Sequence, residues 1–262
     1  MKIAIIGAGA MGGAIAIGLA KSGKHNASDI TVTATSDKTL KRFADLGMNT
    51  TKDNKEAVKN ADIVCVVVKP WLMEQVLKEI KPAMDYDRQI LISCAAGVSS
   101  AQMTEWMKTD DGKMPPLFII IPNIAIAELA SMSFIVPIGA DSDTTEKINS
   151  LFCEMGQTVI TDEAHIGAGT TLASCGIAYA MRYVRAASEG GVELGFKADI
   201  AKDIVLQTVK GAVALLQATG EHPEAMIDKV TTPGGLTIRG LNEMEHAGFT
   251  SAVIRGLKAG IK

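Results

Sequence analysis

The sequence predicts an α/β protein in which an N-terminal doubly wound sheet is followed by an all-α C-terminal half. Three observations carry this expectation. Short apolar, β-rich runs alternate with helically spaced segments from Lys2 to about Thr161, the pattern of a largely parallel sheet covered on both faces. From about Asp162 to Lys262 the spacing is helical, with no convincing strand. A glycine-rich turn follows the first apolar run directly. The boundary is therefore expected between residues 1–162 and 163–262.

Lys2-Ile3-Ala4-Ile5-Ile6 reads as a buried strand, Gly7-Ala8-Gly9-Ala10-Met11-Gly12 as a turn, and Ala14, Ile15, Ile17, Gly18, Leu19 and Ala20 as a helix. Strand, turn and helix in that order make G-x-G-x-x-G a dinucleotide-binding, Rossmann-type fingerprint. Gly7 would permit the tight turn, Gly9 the approach of a pyrophosphate, and Gly12 close helix–strand packing. The phosphates would meet the free N–H groups of the helix N-terminus, at Ala10 and Met11. A plain glycine turn in a βαβ unit is the alternative.

Ile30–Thr35 reads as the second strand. Where such folds place an acidic residue for the ribose of NAD, this chain has Thr35 and Ser36, with Lys38, Lys41 and Arg42 close behind. Hydroxyls and cations suit a 2′-phosphate, so NADP is favoured and NADPH is expected over NADH. Asp37 either caps the helix Lys38–Leu46 or tolerates NAD.

The remaining elements follow in order. Glu56–Asn60 reads as a helix, Asp62–Val68 as a buried strand closed by Lys69-Pro70, and Trp71–Ile80 as a helix. Gln89–Cys94 is a strand opening into Ala95-Ala96-Gly97, small residues against which a flat ring can lie. Ser100–Lys108 is helical, Phe118–Ile121 is a strand stopped by Pro122-Asn123, and Met132–Pro137 is a strand. Thr144–Met155 is a helix and Gln157–Ile160 a last strand. Helices are expected at His165–Gly190, Lys197–Thr219, Glu221–Val230, from about Ile238, and near Thr250–Ala259. This half is too apolar to stand alone, so a dimer is expected to cover it.

Composition excludes several classes. The formal net charge is -3, no basic run exceeds two residues, and aromatics are 4%. These features argue against nucleic-acid binding. Cys65, Cys94, Cys153 and Cys175 stand far apart in apolar surroundings and read as buried reduced thiols of a cytoplasmic protein. Four scattered histidines lack ligand spacing, so no metal is expected. The first strand begins at once, leaving no room for a signal peptide. Ala164–Met181 carries no Asp, Glu, Lys or Arg, but its small and polar residues suit burial against protein better than a membrane.

Thr232-Pro233-Gly234-Gly235-Leu236-Thr237, entering a helix, is either an anion cradle or a helix–helix turn. Together with Val68-Lys69-Pro70, Ala95-Ala96-Gly97, Pro122-Asn123, Glu193-Leu194-Gly195, Gln207–Gly211, Gly220-Glu221-His222-Pro223 and Val230–Leu241, it resembles pyrroline-5-carboxylate reductases along nearly the whole chain. The resemblance implies hydride transfer from NADPH or NADH to the C=N carbon of 1-pyrroline-5-carboxylate, giving L-proline in the last step of proline biosynthesis. It also implies a homodimer, often in rings of dimers. Carried over, Val68, Lys69, Pro70, Ala95, Ala96, Gly97 and Asn123 would serve the cofactor, with Asn54 toward its adenosine end. Cys175, Thr232, Gly234, Gly235, Leu236 and Thr237 would hold the imine carboxylate. Thr237 would donate the proton, or serve only as a helix N-terminal hydroxyl. The chain departs from the family's R-x-M-P-N at Ile119-Ile120-Ile121-Pro122-Asn123 and from its G-S-G-P at Ser174-Cys175-Gly176-Ile177. A reductase of another imine or a keto acid, and a non-catalytic NADP-binding paralogue, are the alternative readings. A hydroxy-acid dehydrogenase would be expected to place a lysine in His165–Gly190, and none is present.

Overall fold

Strand β1 (Ile3–Ile6) lies at the point where the strand order of the sheet reverses. With β2 (Ile30–Thr33), β3 (Asn49–Thr51), β4 (Ile63–Val66), β5 (Ile90–Ser93), β6 (Leu117–Ile121), β7 (Ser131–Ile138) and β8 (Gly156–Ile160) it forms one sheet in the order β3-β2-β1-β4-β5-β6-β7-β8. Neighbours run parallel except β6 and β7. The computed structural model describes residues 1–261; Lys262, the end of the expected helical half, lies outside them. It divides into two units, Met1–Cys175 and Gly176–Lys262.

Helices α1 (Ala10–Lys21), α2 (Asp37–Ala44), α3 (Asn54–Lys59), α4 (Met73–Ile80), α5 (Ser100–Met107) and α6 (Ser142–Cys153) cover the sheet. Alternation along each strand divides the core between its two faces. Ile3 and Ile5 join Ile15, Leu19, Phe43, Phe118 and Phe152 on one side. Ala4 and Ile6 join Val64, Leu77, Leu91, Met103 and Ile119 on the other. Burial on both faces is why β1, β4 and β6 read as continuous apolar runs.

Several boundaries differ from the sequence expectation, each for a local reason. Strand β2 ends at Thr33 rather than Thr35, and the Thr33 carbonyl accepts the Ala8 N–H at 2.8 Å. Strand β3 is a three-residue polar edge, Asn49-Thr50-Thr51, paired with β2 alone, and so short a polar run has no apolar alternation to announce it. The expected helix Trp71–Ile80 begins as a 3₁₀ turn, Pro70–Leu72, before α4. The expected helix His165–Gly190 is α7 (Ile166–Gly169), a π-helical stretch Thr170–Cys175, and α8 (Gly176–Glu193). Of the cysteines, Cys65 is buried, Cys94 and Cys175 are half-buried, and Cys153 is exposed. Cys153 lies in the last turn of α6, where it meets the Thr158 hydroxyl at 3.2 Å rather than the core.

The second unit contains α8, α9 (Ala198–Thr219), α10 (Pro223–Lys229), α11 (Leu236–His246) and α12 (Phe249–Ala259). Its helices bury little within one chain. Ala201 is the only hydrophobic residue of this unit that is buried among the described residues, while Met181, Leu194, Ile200, Val213, Leu215 and Ile254 stand open. No helix among the described residues is long and apolar enough to cross a membrane.

Helix α1 lies so close to the turn Ile124–Glu128 that a Cβ on Gly18 would fall 2.4 Å from the Ile126 carbonyl oxygen and 3.1 Å from the Met155 sulfur. Gly18→Val is therefore expected to lower the unfolding free energy by about 1–3 kcal/mol, the usual cost of overpacking, as read by urea denaturation. An unchanged midpoint would refute this close approach.

Candidate active site

A cleft of about 550 Å³ opens beside the carboxyl ends of β1 and β2, lined by Gly7, Gly9, Thr35, Ser36, Asn54 and Val68 among others. This is where open α/β sheets receive ligands, at the reversal of strand order. Gly7 has φ +98°, and a Cβ there would meet Val68 Cγ1 at 2.8 Å. A Cβ on Gly12 would lie 2.1 Å from the Gly7 carbonyl oxygen, so α1 can start at this point only because both residues lack side chains. Gly9 faces open space and is the N-cap of α1, with no side-chain cap on the first-turn N–H groups. Uncapped donors, the positive end of the helix and a bare glycine form a cradle suited to a pyrophosphate. A dinucleotide fits these residues.

A relay fixes the turn from behind. The Gly7 N–H donates to Thr33 Oγ1 at 3.1 Å, and the Thr33 hydroxyl donates to Asn54 Oδ1 at 2.8 Å. Asn54 Nδ2 in turn donates to Glu79 Oε2 at 3.2 Å. Asn54 thus lines the cleft and also braces the glycine turn. Thr33 is buried and was not singled out from the sequence, because a threonine inside a strand is ordinary until its partner is seen.

The other expected cofactor residues gather along the same sheet edge. Lys69 and Pro70 follow β4, and both are exposed. Ala95 is packed into the core, while Ala96 and Gly97 are exposed after β5. Asn123 follows β6 and turns inward: its side chain accepts the Ala125 N–H at 3.0 Å, and its own N–H donates to Ser131 Oγ. The π-helical stretch sits on this edge too, with Ser174 Oγ donating to the Pro122 carbonyl at 2.8 Å and Cys175 half-buried beside it. Beneath the edge, burial pushes the Cys65 thiol up to about 12, and burial with the neighbouring Cys65 raises Cys94 well above its ordinary value. Both stay protonated at neutral pH and offer no nucleophile.

At the end of β2 the helix cap is Ser36, and Asp37 is the first residue of α2 rather than its cap. Asp37 instead pairs with Lys52 at 2.7 Å. Of the cations expected here, Lys41 is held by Asp45 and Arg42 lies over the Phe43 ring. Lys52, directly after a strand invisible in the sequence, is the cation that lines the cleft among the described residues.

In the second unit, Gly234 takes φ +69° and the Gly235 N–H donates to the Thr232 carbonyl at 2.9 Å, closing a tight turn into α11. Gly235 is the N-cap and gives no side-chain cap, leaving the first-turn N–H groups exposed beside Leu236 and Thr237. A Cβ on Gly235 would fall 2.4 Å from the Thr232 hydroxyl.

Comparison with known proteins agrees with this fold. Residues 163–262 match the family model for pyrroline-5-carboxylate reductase dimerisation, and residues 2–97 match that for coenzyme F420-dependent NADP oxidoreductases. A Dictyostelium discoideum pyrroline-5-carboxylate reductase 2 is 34% identical over 98% of this chain and 89% of its own length. The chain belongs to the pyrroline-5-carboxylate reductase family. Pyrroline-5-carboxylate reductase 1 of the same organism is 36% identical over 97% of this chain, which spans 48% of that relative's length. The fold matches that of a Plasmodium falciparum pyrroline carboxylate reductase solved with NADP bound, with a TM-score of 0.88 at 24% identity over 99% of this chain and 95% of that one. Family membership accounts for the two-part architecture.

Thr33→Val keeps the shape of the buried side chain but leaves the Gly7 N–H without an acceptor. The full cost of an unmet buried donor is about 1–3 kcal/mol and this one is half-buried, so the turn should loosen and NADPH affinity measured by titration calorimetry is expected to fall by about threefold to tenfold. Unchanged affinity would mean the relay does not hold the turn.

Proposed function

We propose that this chain reduces 1-pyrroline-5-carboxylate to L-proline with a nicotinamide cofactor, as the relatives' names state for them. The observation that carries this reading is the pair of uncapped glycine turns, Gly7–Gly12 and Gly234–Thr237, in a chain of this family. When bound, the dihydronicotinamide supplies a hydride to the C=N carbon. A protonated cyclic imine is already electrophilic, so the residues need chiefly to bind and orient. Gly7, Gly9, Ala10, Met11 and Gly12 hold the pyrophosphate; Thr35, Ser36 and Asn54 hold the adenosine end; Val68, Lys69, Pro70, Ala95, Ala96, Gly97 and Asn123 border the nicotinamide. Thr232, Gly234, Gly235 and Leu236 hold the carboxylate through backbone N–H groups, Cys175 borders the ring, and Thr237 delivers the proton to nitrogen. The hydroxyls at the end of β2 support NADPH over NADH.

The domain reading, 1–162 for the dinucleotide and 163–262 for dimerisation and substrate, belongs to the same proposal. The open apolar side chains of α8, α9 and α12 and the matched dimerisation model support a homodimer, in rings of dimers or alone, working in the cytoplasm. The loss of arginine and methionine at Ile119 and Ile121 supports a second reading, a reductase of a related imine.

Purified protein is expected to oxidise NADPH on addition of 1-pyrroline-5-carboxylate and to form proline in equal amount. Cofactor binding without turnover would move the assignment to another imine or end it. Gly235→Trp is expected to lower turnover by about a hundredfold, the scale for losing preorganised backbone donors. Its NADPH affinity should stay within about twofold, since no cofactor group is expected at that turn. Equal loss of both would remove the cradle assignment.

A further inference from the structure

This inference rests on the nucleotide reading of the cleft and concerns what selects the nucleotide. Lys52 is the one cation among the described residues lining that cleft. It comes from the position after β3, not from the loop after β2 or from α2, where dinucleotide folds usually place such a residue. Its ammonium lies 2.7 Å from Asp37 Oδ1, and the two side chains are 55% and 84% exposed. A pair so open contributes little to folding, so its position at the cleft is the feature to explain.

The electrostatics of the two members are opposed. Asp37 alone would repel a 2′-phosphate and would accept a hydrogen bond from a ribose 2′-hydroxyl, the NAD pattern. Lys52 neutralises that carboxylate, and its three N–H donors leave others for a phosphate oxygen. Thr35, Ser36 and Thr39 line the same cleft as Lys52. Ser36, as N-cap, makes no side-chain bond to its helix.

We propose that Lys52, held in place by Asp37, is the residue that selects the 2′-phosphorylated cofactor, and that Asp37 limits the strength of that selection. The pair thereby keeps NADH usable while favouring NADPH.

The full-length protein and its K52M, K52R and D37N variants are titrated calorimetrically with NADPH, NADH, 2′,5′-ADP and 5′-AMP, without imine. K52M is expected to weaken NADPH and 2′,5′-ADP by about 10- to 100-fold, the range for a charge-assisted bond to phosphate. NADH and 5′-AMP should change by less than about threefold, and K52R should recover most of the loss because it keeps the charge. D37N is expected to tighten 2′,5′-ADP, and the tightening should shrink as salt is raised. Equal loss of all four nucleotides in K52M, or no loss of any, overturns the assignment while leaving the cleft a nucleotide site. A wild-type protein that binds neither NADPH nor NADH overturns the nucleotide reading and this proposal together.

Discussion

The start of α1 touches the end of β1 closely enough to exclude any side chain. Because a Cβ on Gly12 would lie 2.1 Å from the Gly7 carbonyl oxygen, the helix can follow the strand after only the short turn Gly7-Ala8-Gly9. Its unpaired N–H groups consequently open at the carboxyl edge of the sheet. The relay Gly7–Thr33–Asn54 then ties the turn to β2 and α3. One backbone contact thus determines where negative charge is welcome, and every other expected cofactor residue in this unit is arranged along the same edge.

Much of this was legible in the sequence, for identifiable reasons. Strands buried on both faces announce themselves as unbroken apolar runs, and Gly7-Ala8-Gly9-Ala10-Met11-Gly12 carries its own steric explanation. The polar periphery was not legible. Strand β3 has no alternation, so Lys52 has no address in the sequence; of the cations that follow Ser36, Lys38 does not line the cleft, and Lys41 and Arg42 are engaged by Asp45 and Phe43. Aspartate favours the cap position, so the sequence offers Asp37 for it, but Ser36 occupies it. Thr33 is silent until its partners are known. Sequence periodicity reports burial well; it does not report which exposed charges meet across a sheet edge.

The two halves solve different packing problems. The sheet unit is self-sufficient, with aliphatic residues shared between two faces. The helical unit leaves large apolar side chains open on most of its helices. Ala201, the one buried aliphatic position of this unit among the described residues, sits where a Cβ on Gly191 would approach at 2.9 Å. The α8–α9 pair is therefore held together by small residues meeting closely rather than by bulk, and the bulky residues remain on the outside.

The π-helical stretch Thr170–Cys175 has a consequence for how this chain can vary. A π turn spends one more residue than an α turn and so stores an insertion inside an otherwise unbroken helix. Deleting one residue there would let the turn tighten to α geometry without breaking its hydrogen-bonded ladder. The stretch is therefore a place where the segment can gain or lose one residue while each of its backbone N–H groups keeps a carbonyl partner.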